Sequence, residues 1–303
     1  ESYKAFQTGN TQKARLEVQN NTLTGGDATV APDRKPGVVP GESTPLNVES
    51  LFTGIPTSSN AIEYTREATF TNNAAEAAEA AAKGETDITF ELKTMPVSTV
   101  AHWVRISKQL AADSPALAAY VNTRMMYGVN KRVDTQLVNG NGTAPDLSGI
   151  LDTGNFTAHG FADADLPASL KKFALIRKAM ASLETGGYVP DAVLLNPADV
   201  AEMDIDLLTT AAGQSRVTID SNGIMRIWGV PVVKSVAVTA DQFAVGDFSM
   251  AGTVHNRQGV IVELSDSDNT NFTTNLVTVR AERRLALTVE KPAAIVAGDL
   301  TPL

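Results

Sequence analysis

Apolar and polar residues alternate along several segments of the chain, and these segments predict strands. In DITFELKT the apolar residues Ile88, Phe90 and Leu92 recur at every second position, which is the period of a strand. AIEYTREATF, just before it, alternates more weakly, so the two segments together predict a long hairpin over residues 57–94. VAHWVRIS and the long segments across 253–289 also predict strands.

A different period, with one apolar residue in every four, predicts a long helix. The residues of this stripe are Leu117, Val121, Met125, Val129, Val133 and Leu137. Ser114-Pro115 places proline at the first helical position, and Asn139-Gly140 ends the pattern. The predicted helix has about 24 residues and is about 36 Å long at 1.5 Å per residue.

Shorter elements of both kinds follow the long helix. Residues 166–187 predict an amphipathic helix that ends at a Gly-Gly pair. VLLNPADVAEM predicts a short buried strand and then a helix that begins at its Asn-Pro pair, and IMRIWGVPVV predicts two short strands around Gly229. Because the long strands across 253–289 come after these elements, the pattern indicates an α+β fold.

Two segments lack the composition of a folded core. The tip of the predicted hairpin, AAEAAEAAAKGE, is rich in Ala and Glu, and its intrinsic propensity favours a solvated helix. Residues 1–50 are rich in Gly, Pro, Thr, Asn and Asp, and they bury too little apolar area to fold alone. They are expected to be either disordered or an extended arm that lies on a neighbouring molecule.

Charge and composition exclude several functions. The formal net charge of −9 disfavours tight, non-specific DNA binding by the folded body. The absence of cysteine excludes disulfides, thiol nucleophiles and Cys-ligated zinc. No apolar run approaches the roughly 18–20 residues of a membrane span, so no membrane partner is expected. The polar start, ESYKAFQTGN, lacks the apolar core of a signal peptide.

The sequence contains no recognisable arrangement of an ordinary active site. His102, His159 and His255 share no metal-ligand spacing, so each is expected to be structural. The GNG run after Asn139 lacks the Lys-Ser/Thr and the helix of a phosphate loop. The DSDN run after Ser265 is expected to be a turn. No metal site and no cofactor are predicted.

The segments between Thr57 and Gly142 follow one another in an order that resembles the major capsid proteins of tailed bacteriophages, which have the Hong Kong 97-type fold. The resemblance is carried by TSSNAIEYTRE, TNNAAEAAEAAAKGETDITF, TVAHWVRISKQLAAD and VNGNG, and by NFTTNLVTVRAERRLAL towards the C-terminus. It extends over about residues 50–299. It implies a mature structural protein rather than an enzyme, with Glu1 as an end left by proteolytic maturation.

The resemblance also implies how the chain is divided. The long helix becomes the spine of a peripheral lobe, the shorter elements form an axial lobe, and the chain returns to the first lobe after leaving it. The implied parts are an N-terminal arm (1–56), an extended hairpin or E-loop (57–94), a peripheral domain (95–145 and 238–286) and an axial domain (146–237 and 287–303).

Three residues match those that crosslink subunits in some members of that family. In those members the matching lysine attacks the side-chain amide of the matching asparagine, ammonia leaves, and the matching glutamate acts as general base. The resemblance therefore implies that Lys83 and Asn275 are crosslink residues and that Glu282 is the base of a single-turnover reaction.

The spacing of these residues indicates a site shared between subunits. In an extended strand the seven residues from Asn275 to Glu282 span about 23 Å, and the odd offset puts the two side chains on opposite faces. Ala77, Gln258 and Arg280 stand where crosslinking members have larger apolar residues. Arg280 shares a face with Glu282 and would make it a weaker base. The alternative is a surface lysine, a strand asparagine and a salt-bridged glutamate without chemistry.

Four further residues carry structural expectations. Trp103 and Trp228 are expected to lie in the core or between the lobes. Arg283 and Arg284 are expected to face acidic groups of a neighbouring subunit, where single surface pairs contribute little.

The function implied by the resemblance is assembly into hexamers and pentamers of an icosahedral phage head. Such a shell encloses double-stranded DNA without sequence-specific binding, assembles in the cytoplasm of the host and meets portal and decoration proteins. One alternative is an encapsulin-type nanocompartment shell. Another is a hydrolase or carbohydrate-binding module, for which the sequence offers no paired acid and base.

Overall fold

A computed structural model describes residues 39–79, 82–113, 115–167, 170–209, 217–220, 223–268 and 270–301. In these residues the helices are α1 (Lys108–Asp113), α2 (Pro115–Asn139), α3 (Lys171–Thr185), α4 (Pro197–Thr209), α5 (Phe248–Ala251) and α6 (Asn271–Thr274). The strands are β1 (Thr53–Pro56), β2 (Ala61–Thr71), β3 (Asp87–Pro96), β4 (Ser98–Ser107), β5 (Thr157–Ala158), β6 (Ala192–Leu195), β7 (Val217–Ile219), β8 (Met225–Ile227), β9 (Val230–Lys234), β10 (Gln242–Gly246), β11 (Gly252–Ser265), β12 (Leu276–Val289) and β13 (Ile295–Asp299).

The described strands form three sheets. One has four strands in the order β1-β11-β12-β4, with β1 parallel to β11 and the other pairs antiparallel. A second has seven strands in the order β5-β13-β10-β6-β9-β8-β7, and β2 and β3 form a separate hairpin. The mixture of helices and sheets confirms the predicted α+β class, and the hairpin, the strand across 100–107 and the long C-terminal strands lie where the alternation predicts them.

The long helix α2 packs against the four-stranded sheet. It has 25 residues, and the apolar stripe predicted from the sequence turns inwards at Val129, Val133 and Leu137, all at most 1% exposed. Gly128 lets strand β4 approach, because a Cβ at this position would lie 2.6 Å from the His102 ring. The predicted helix is therefore confirmed in both its length and its buried face.

A second core lies under the seven-stranded sheet, where α3 and α4 contribute apolar residues such as Ile176 and Met203. The amphipathic helix predicted from residue 166 begins only at Lys171, after Leu170 in the left-handed conformation (φ 59°). Leu170 explains the later start, since a residue in the left-handed conformation cannot belong to a right-handed helix. The predicted strand and helix around Asn196-Pro197 are confirmed, and the Asn196 side chain accepts a hydrogen bond from the Ala198 amide (2.9 Å).

Residues 44–56, which we call the anchor segment, are built into the four-stranded sheet and its core. Val48 is fully buried, and Phe52 meets Phe248 edge-on with ring centroids 5.9 Å apart. The Val48 amide donates to Asp134 of α2 (3.0 Å). The sequence placed these residues in an N-terminal arm that lacks a core of its own, and the boundary of that arm stays a prediction. The anchor segment itself is a fixed part of this fold.

Arg283 holds the anchor segment from the sheet side. Its guanidinium donates to Glu49 (2.8 Å from Nη1 to Oε2), to Asn130 (3.2 Å) and to Asn256 (2.6 Å), and the side chain is only 10% exposed. The expectation that Arg283 faces a neighbouring subunit is therefore wrong for this chain. The cause is that Glu49 lies close enough in the same chain to neutralise the buried cation.

The pairing of Glu49 with Arg283 predicts a loss of stability in acid. The hydrogen bond from Arg283 lowers the pKa of Glu49 from its ordinary value of 4.5. A carboxyl group whose pKa is depressed in the folded state stabilises the fold above its unfolded pKa, and this contribution disappears as pH falls below about 4.5. Glu49→Gln should therefore lower stability at pH 7 and flatten its decline in acid.

Urea unfolding of the two proteins between pH 7 and pH 3 measures this effect. Glu42→Gln changes an exposed carboxylate nearby and is the control, with an acid profile like that of the unchanged chain. A parallel decline of Glu49→Gln and the unchanged chain would contradict the assignment.

Candidate functional site

The hairpin carries an exposed apolar face. The register pairs Phe70 with Ile88, and Phe90 and Leu92 follow at every second position on the same face. Phe90 and Leu92 are 68% and 65% exposed. These four residues are the hairpin apolar face. Contiguous exposed apolar surface marks an interaction site in a soluble protein, so this face indicates contact with another protein surface.

The opposite face of the hairpin holds its base to the rest of the chain. The Tyr64 hydroxyl donates to the Val289 carbonyl of β12 (3.1 Å). Arg66 pairs with Glu91 across the two strands (3.0 Å), and Lys93 pairs with the same carboxylate (2.6 Å). The hairpin is therefore fixed at its base.

Lys83 lies at the tip of the hairpin. The tip is closed by Asn73, whose side-chain amide donates to the Glu85 carbonyl (2.7 Å). At Gly84 the backbones approach so closely that a Cβ would lie 2.3 Å from the Asn73 carbonyl oxygen. This close approach of the two backbones places Lys83, one residue before Gly84, at the outer end of the hairpin.

The helix that propensity favours at this tip is absent from residues 72–79 and 82–86. The tip, AAEAAEAAAKGE, has only 12 residues, the lower end of the roughly 12–15 residues that an isolated helix needs in water. Both of its ends are also held together by Asn73 and the paired strands. The constraint of the hairpin therefore overrides the alanine-rich composition.

Asn275 ends the short helix α6 immediately before strand β12. Its backbone is left-handed (φ 54°, ψ 41°), and its amide donates to the Asn271 carbonyl. Its own carbonyl accepts from the Lys108 amide (2.9 Å). The sequence placed Asn275 inside an extended strand. It lies one residue outside, where a turn presents its exposed side chain.

Glu282 lies in the middle of β12 among polar partners. Its carboxylate is 3.4 Å from the Arg280 guanidinium and accepts from the Gln258 amide (3.4 Å). Arg280 contacts Glu263 more closely, at 2.6 Å. The predicted pairing of Arg280 with Glu282 is confirmed, and the cation is shared with a second carboxylate.

Beside this group lies an open groove of about 770 Å³ on the outer face of the four-stranded sheet. Trp103 is 59% exposed in it and lies under the Arg105 guanidinium, 5.0 Å from the ring centroid. The expectation that Trp103 belongs to the core is therefore wrong. The cause is its register opposite Arg280, which places it on the face of the sheet that turns away from α2.

The subunit does not bring Asn275 and Glu282 together. Strand β12 is continuous from Leu276 to Val289 and pairs with β4 without a break as far as Leu285. Glu282 lies six strand residues beyond Leu276, the residue after Asn275, which separates the two positions by about 20 Å at about 3.3 Å per residue. A reaction that uses both side chains therefore needs two copies of the chain.

Phe272 is a residue that the sequence reasoning missed. It is 76% exposed in α6, three positions before Asn275. The available signal was one aromatic residue in an otherwise polar run, NTNFTTN.

The described residues contain no group of three or more His, Asp or Glu side chains that could hold a metal ion. His102 and His255 instead hydrogen-bond within the fold, to the Met125 carbonyl (2.9 Å) and the Thr288 hydroxyl (3.1 Å). Among the described helices, none has the length and apolar character to cross a bilayer.

Comparison with solved structures shows the fold. The capsid of a native GTA particle superposes with a TM-score of 0.66 at 17% identity, over 94% of this chain and 99% of that one. The structure from Mycobacterium phage Adephagia gives 0.66 at 15% identity, over 90% and 95%. The holo-SrpI encapsulin complex from Synechococcus elongatus gives 0.65 at 13% identity, over 90% and 93%.

Sequence comparison shows the family. Residues 26–300 match the phage capsid family. The chain is 38% identical over 290 residues to the major capsid protein of Enterobacteria phage HK97, which covers 93% of this chain and 73% of that relative. The resemblance to major capsid proteins with the Hong Kong 97-type fold is thus confirmed. This chain belongs to the phage capsid family, and it is a structural subunit of a phage head rather than an enzyme.

Proposed function

We propose that this chain forms hexamers and pentamers of an icosahedral head around double-stranded DNA, and that Lys83–Asn275 isopeptide bonds link its subunits. The observation that supports a crosslink between subunits is the separation of Asn275 from Glu282 along an unbroken strand. Because one subunit cannot supply the reaction centre, the chemistry starts only when assembly brings copies together.

The hairpin supplies the contact between copies. Its apolar face remains exposed in the single chain, and an isolated hairpin is marginal in water. Burial of that face on a neighbouring subunit offsets the cost of ordering the hairpin and carries Lys83 to the neighbour's Asn275. The proposed chain has four parts: an arm, a hairpin, a peripheral domain and an axial domain. In this proposal the two extended parts, the arm and the hairpin, lie on other copies of the chain.

The reaction balances without a cofactor. The neutral Lys83 amine attacks the Asn275 amide carbon, the new C–N bond forms, and the amide nitrogen leaves as ammonia. Glu282 of another copy accepts a proton from the attacking amine and returns it to the leaving nitrogen. Arg280 makes Glu282 a weaker base because it pairs with the carboxylate. The effect is limited because Arg280 contacts Glu263 more closely than Glu282.

A role as a head subunit also determines what the shell is expected to enclose and where it is expected to assemble. A net charge of −9 suits a wall that encloses DNA without gripping it. Portal and decoration proteins are the expected partners besides other copies of the chain, and the host cytoplasm is the expected place of assembly. The likeness to an encapsulin leaves a nanocompartment shell as the second candidate, and DNA recovered from purified particles would separate the two.

A denaturing gel of purified particles tests the crosslink. Boiled particles should give a ladder or material that stays in the well, because isopeptide bonds survive boiling in detergent. Disulfides cannot produce the same result, since the chain has no cysteine. Lys83→Arg and Asn275→Asp should each collapse the ladder to one band of 32.0 kDa.

Lys93→Arg is the matched control on the same hairpin, because Lys93 pairs with Glu91 within the chain (2.6 Å). It should leave the ladder intact. A single band from unchanged particles would contradict the crosslink while leaving the shell function in place.

A further inference from the structure

The turn that presents Asn275 is held firmly on both sides. Asn271 is fully buried, and its amide donates to the Thr278 hydroxyl (2.6 Å). The Asn275 backbone donates to Asn271 and accepts from Lys108 (2.9 Å). The backbone of the turn is therefore fixed, and the surfaces around it limit how a lysine can approach the Asn275 side-chain amide.

Phe272 is the large apolar surface of this turn. Its ring is 76% exposed, although a phenylalanine side chain gains free energy when it leaves water. The other residues of the turn, Asn271, Thr273, Thr274 and Asn275, are polar. Phe272 and Asn275 are three positions apart at this short helix, a spacing at which helix side chains are neighbours, so the ring is the apolar surface next to Asn275 that a second copy would meet.

The proposed reaction requires apolar cover for the lysine. A lysine amine has an ordinary pKa of about 10.4 and is mostly protonated at neutral pH. Removal of water from around it favours the neutral, nucleophilic form. The polar side chains near Glu282 are engaged with carboxylates, since Gln258 contacts Glu282 and Arg280 contacts Glu263 and Glu282. They offer no apolar cover to the lysine.

We propose that Phe272 is the positioning residue of the crosslink, whose ring packs on the alanine-rich tip of a second copy's hairpin and excludes water from Lys83 beside Asn275. The tip fits this role because the residues before Lys83 are AAEAAEAAA, whose small side chains let an aromatic ring approach the backbone. This inference rests on the proposed crosslinking function.

The test compares Phe272→Ala and Phe272→Leu shells with unchanged shells over pH 6–10. Crosslinked product is followed over time on denaturing gels, and shell formation is checked by sedimentation. We expect Phe272→Ala to slow crosslinking on the order of tenfold at pH 7, the factor that corresponds to one unit in the lysine pKa. Most of the rate should return near pH 10, where a far larger fraction of an ordinary lysine amine is neutral than at pH 7. Phe272→Leu retains apolar bulk and should keep most of the rate at pH 7.

Thr273→Ala is the control in the same turn, because it removes only the bond from its hydroxyl to the Thr270 carbonyl (2.9 Å). It should leave the rate and its pH profile unchanged. An equal loss in Thr273→Ala, an unchanged rate in Phe272→Ala, or a loss that is the same at every pH would overturn the role of Phe272. Failure of Phe272→Ala to form shells would also overturn it, because the ring would then be an assembly contact.

The two proposals fail in different ways. Unchanged shells that give no ladder overturn the crosslinking function and this inference with it. Unchanged shells that crosslink, together with Phe272→Ala shells that crosslink equally fast, overturn this inference alone.

Discussion

Phe52→Ala is expected to lower the free energy of unfolding of the subunit by about 3–5 kcal/mol, the range for truncation of a buried phenylalanine. Phe52 is 7% exposed and lies edge-on against the fully buried Phe248. Its loss leaves a cavity between the anchor segment and the main core, and strand β1 begins at the next residue. The same change should therefore also loosen the pairing of β1 with β11.

Urea unfolding of unassembled subunits measures this loss. A Lys83→Arg background removes any contribution from the proposed crosslink. Phe70→Ala is the matched control, because it removes the same atoms from a side chain that is 55% exposed in the single chain. It should change subunit stability by less than about 0.5 kcal/mol. Similar midpoints for the Phe52 and Phe70 variants would show that Phe52 does not belong to the core.

The elements that the sequence predicted well are those in which the pattern of apolar and polar residues repeats several times within one segment. The stripe on α2 and the alternation in β3 each repeat over several turns or residue pairs. Each repeat lies within one segment of the chain, so the pattern alone is sufficient to predict the type of element. The start of α3 was misplaced because one residue, Leu170, adopts a left-handed conformation that no period indicates.

The residues that sequence reasoning misplaced depend on partners far away in the chain. Arg283 pairs with Glu49, which lies 234 residues away in the sequence. No local signal predicts such pairs. Trp103 was expected in the core or between the lobes, yet the sheet register puts it opposite Arg280 on the outer face. The anchor segment was missed for the same reason, because its core partners lie in α2, α5 and β11.

The candidate site was predicted through resemblance rather than pattern. Lys83, Asn275 and Glu282 carry no common period, and one chain does not unite Asn275 with Glu282. Strand geometry did predict the separation of those two residues, since it requires only a continuous β12. Phe272 was not predicted as a site residue, because its proposed role depends on contact with a second copy of the chain.

Gly140 follows the last residue of α2, and its lack of a side chain lets the segment after the helix approach the backbone of the helix end. The segment after the helix folds back across its end, where the Ile150 and Leu151 amides donate to the Leu137 and Val138 carbonyls (2.8 and 2.9 Å). These bonds satisfy carbonyls that a helix end leaves without partners. The Gln136 side chain holds the same segment through the Leu147 amide (3.0 Å).

Gly140→Ala is accordingly expected to destabilise the subunit by about 3 kcal/mol, at the upper end of the range for overpacking. The new Cβ would lie 2.2 Å from the Leu147 carbonyl oxygen and 2.6 Å from that of Gln136. Both are backbone atoms, so relief requires the helix end and the returning segment to separate and break their hydrogen bonds. Gly259→Ala is the control, because a Cβ there meets nothing within 4 Å. The expected result is a lower urea midpoint for Gly140→Ala with an unchanged slope, and equal midpoints for the two alanine variants would show that the close approach at Gly140 does not limit the fold.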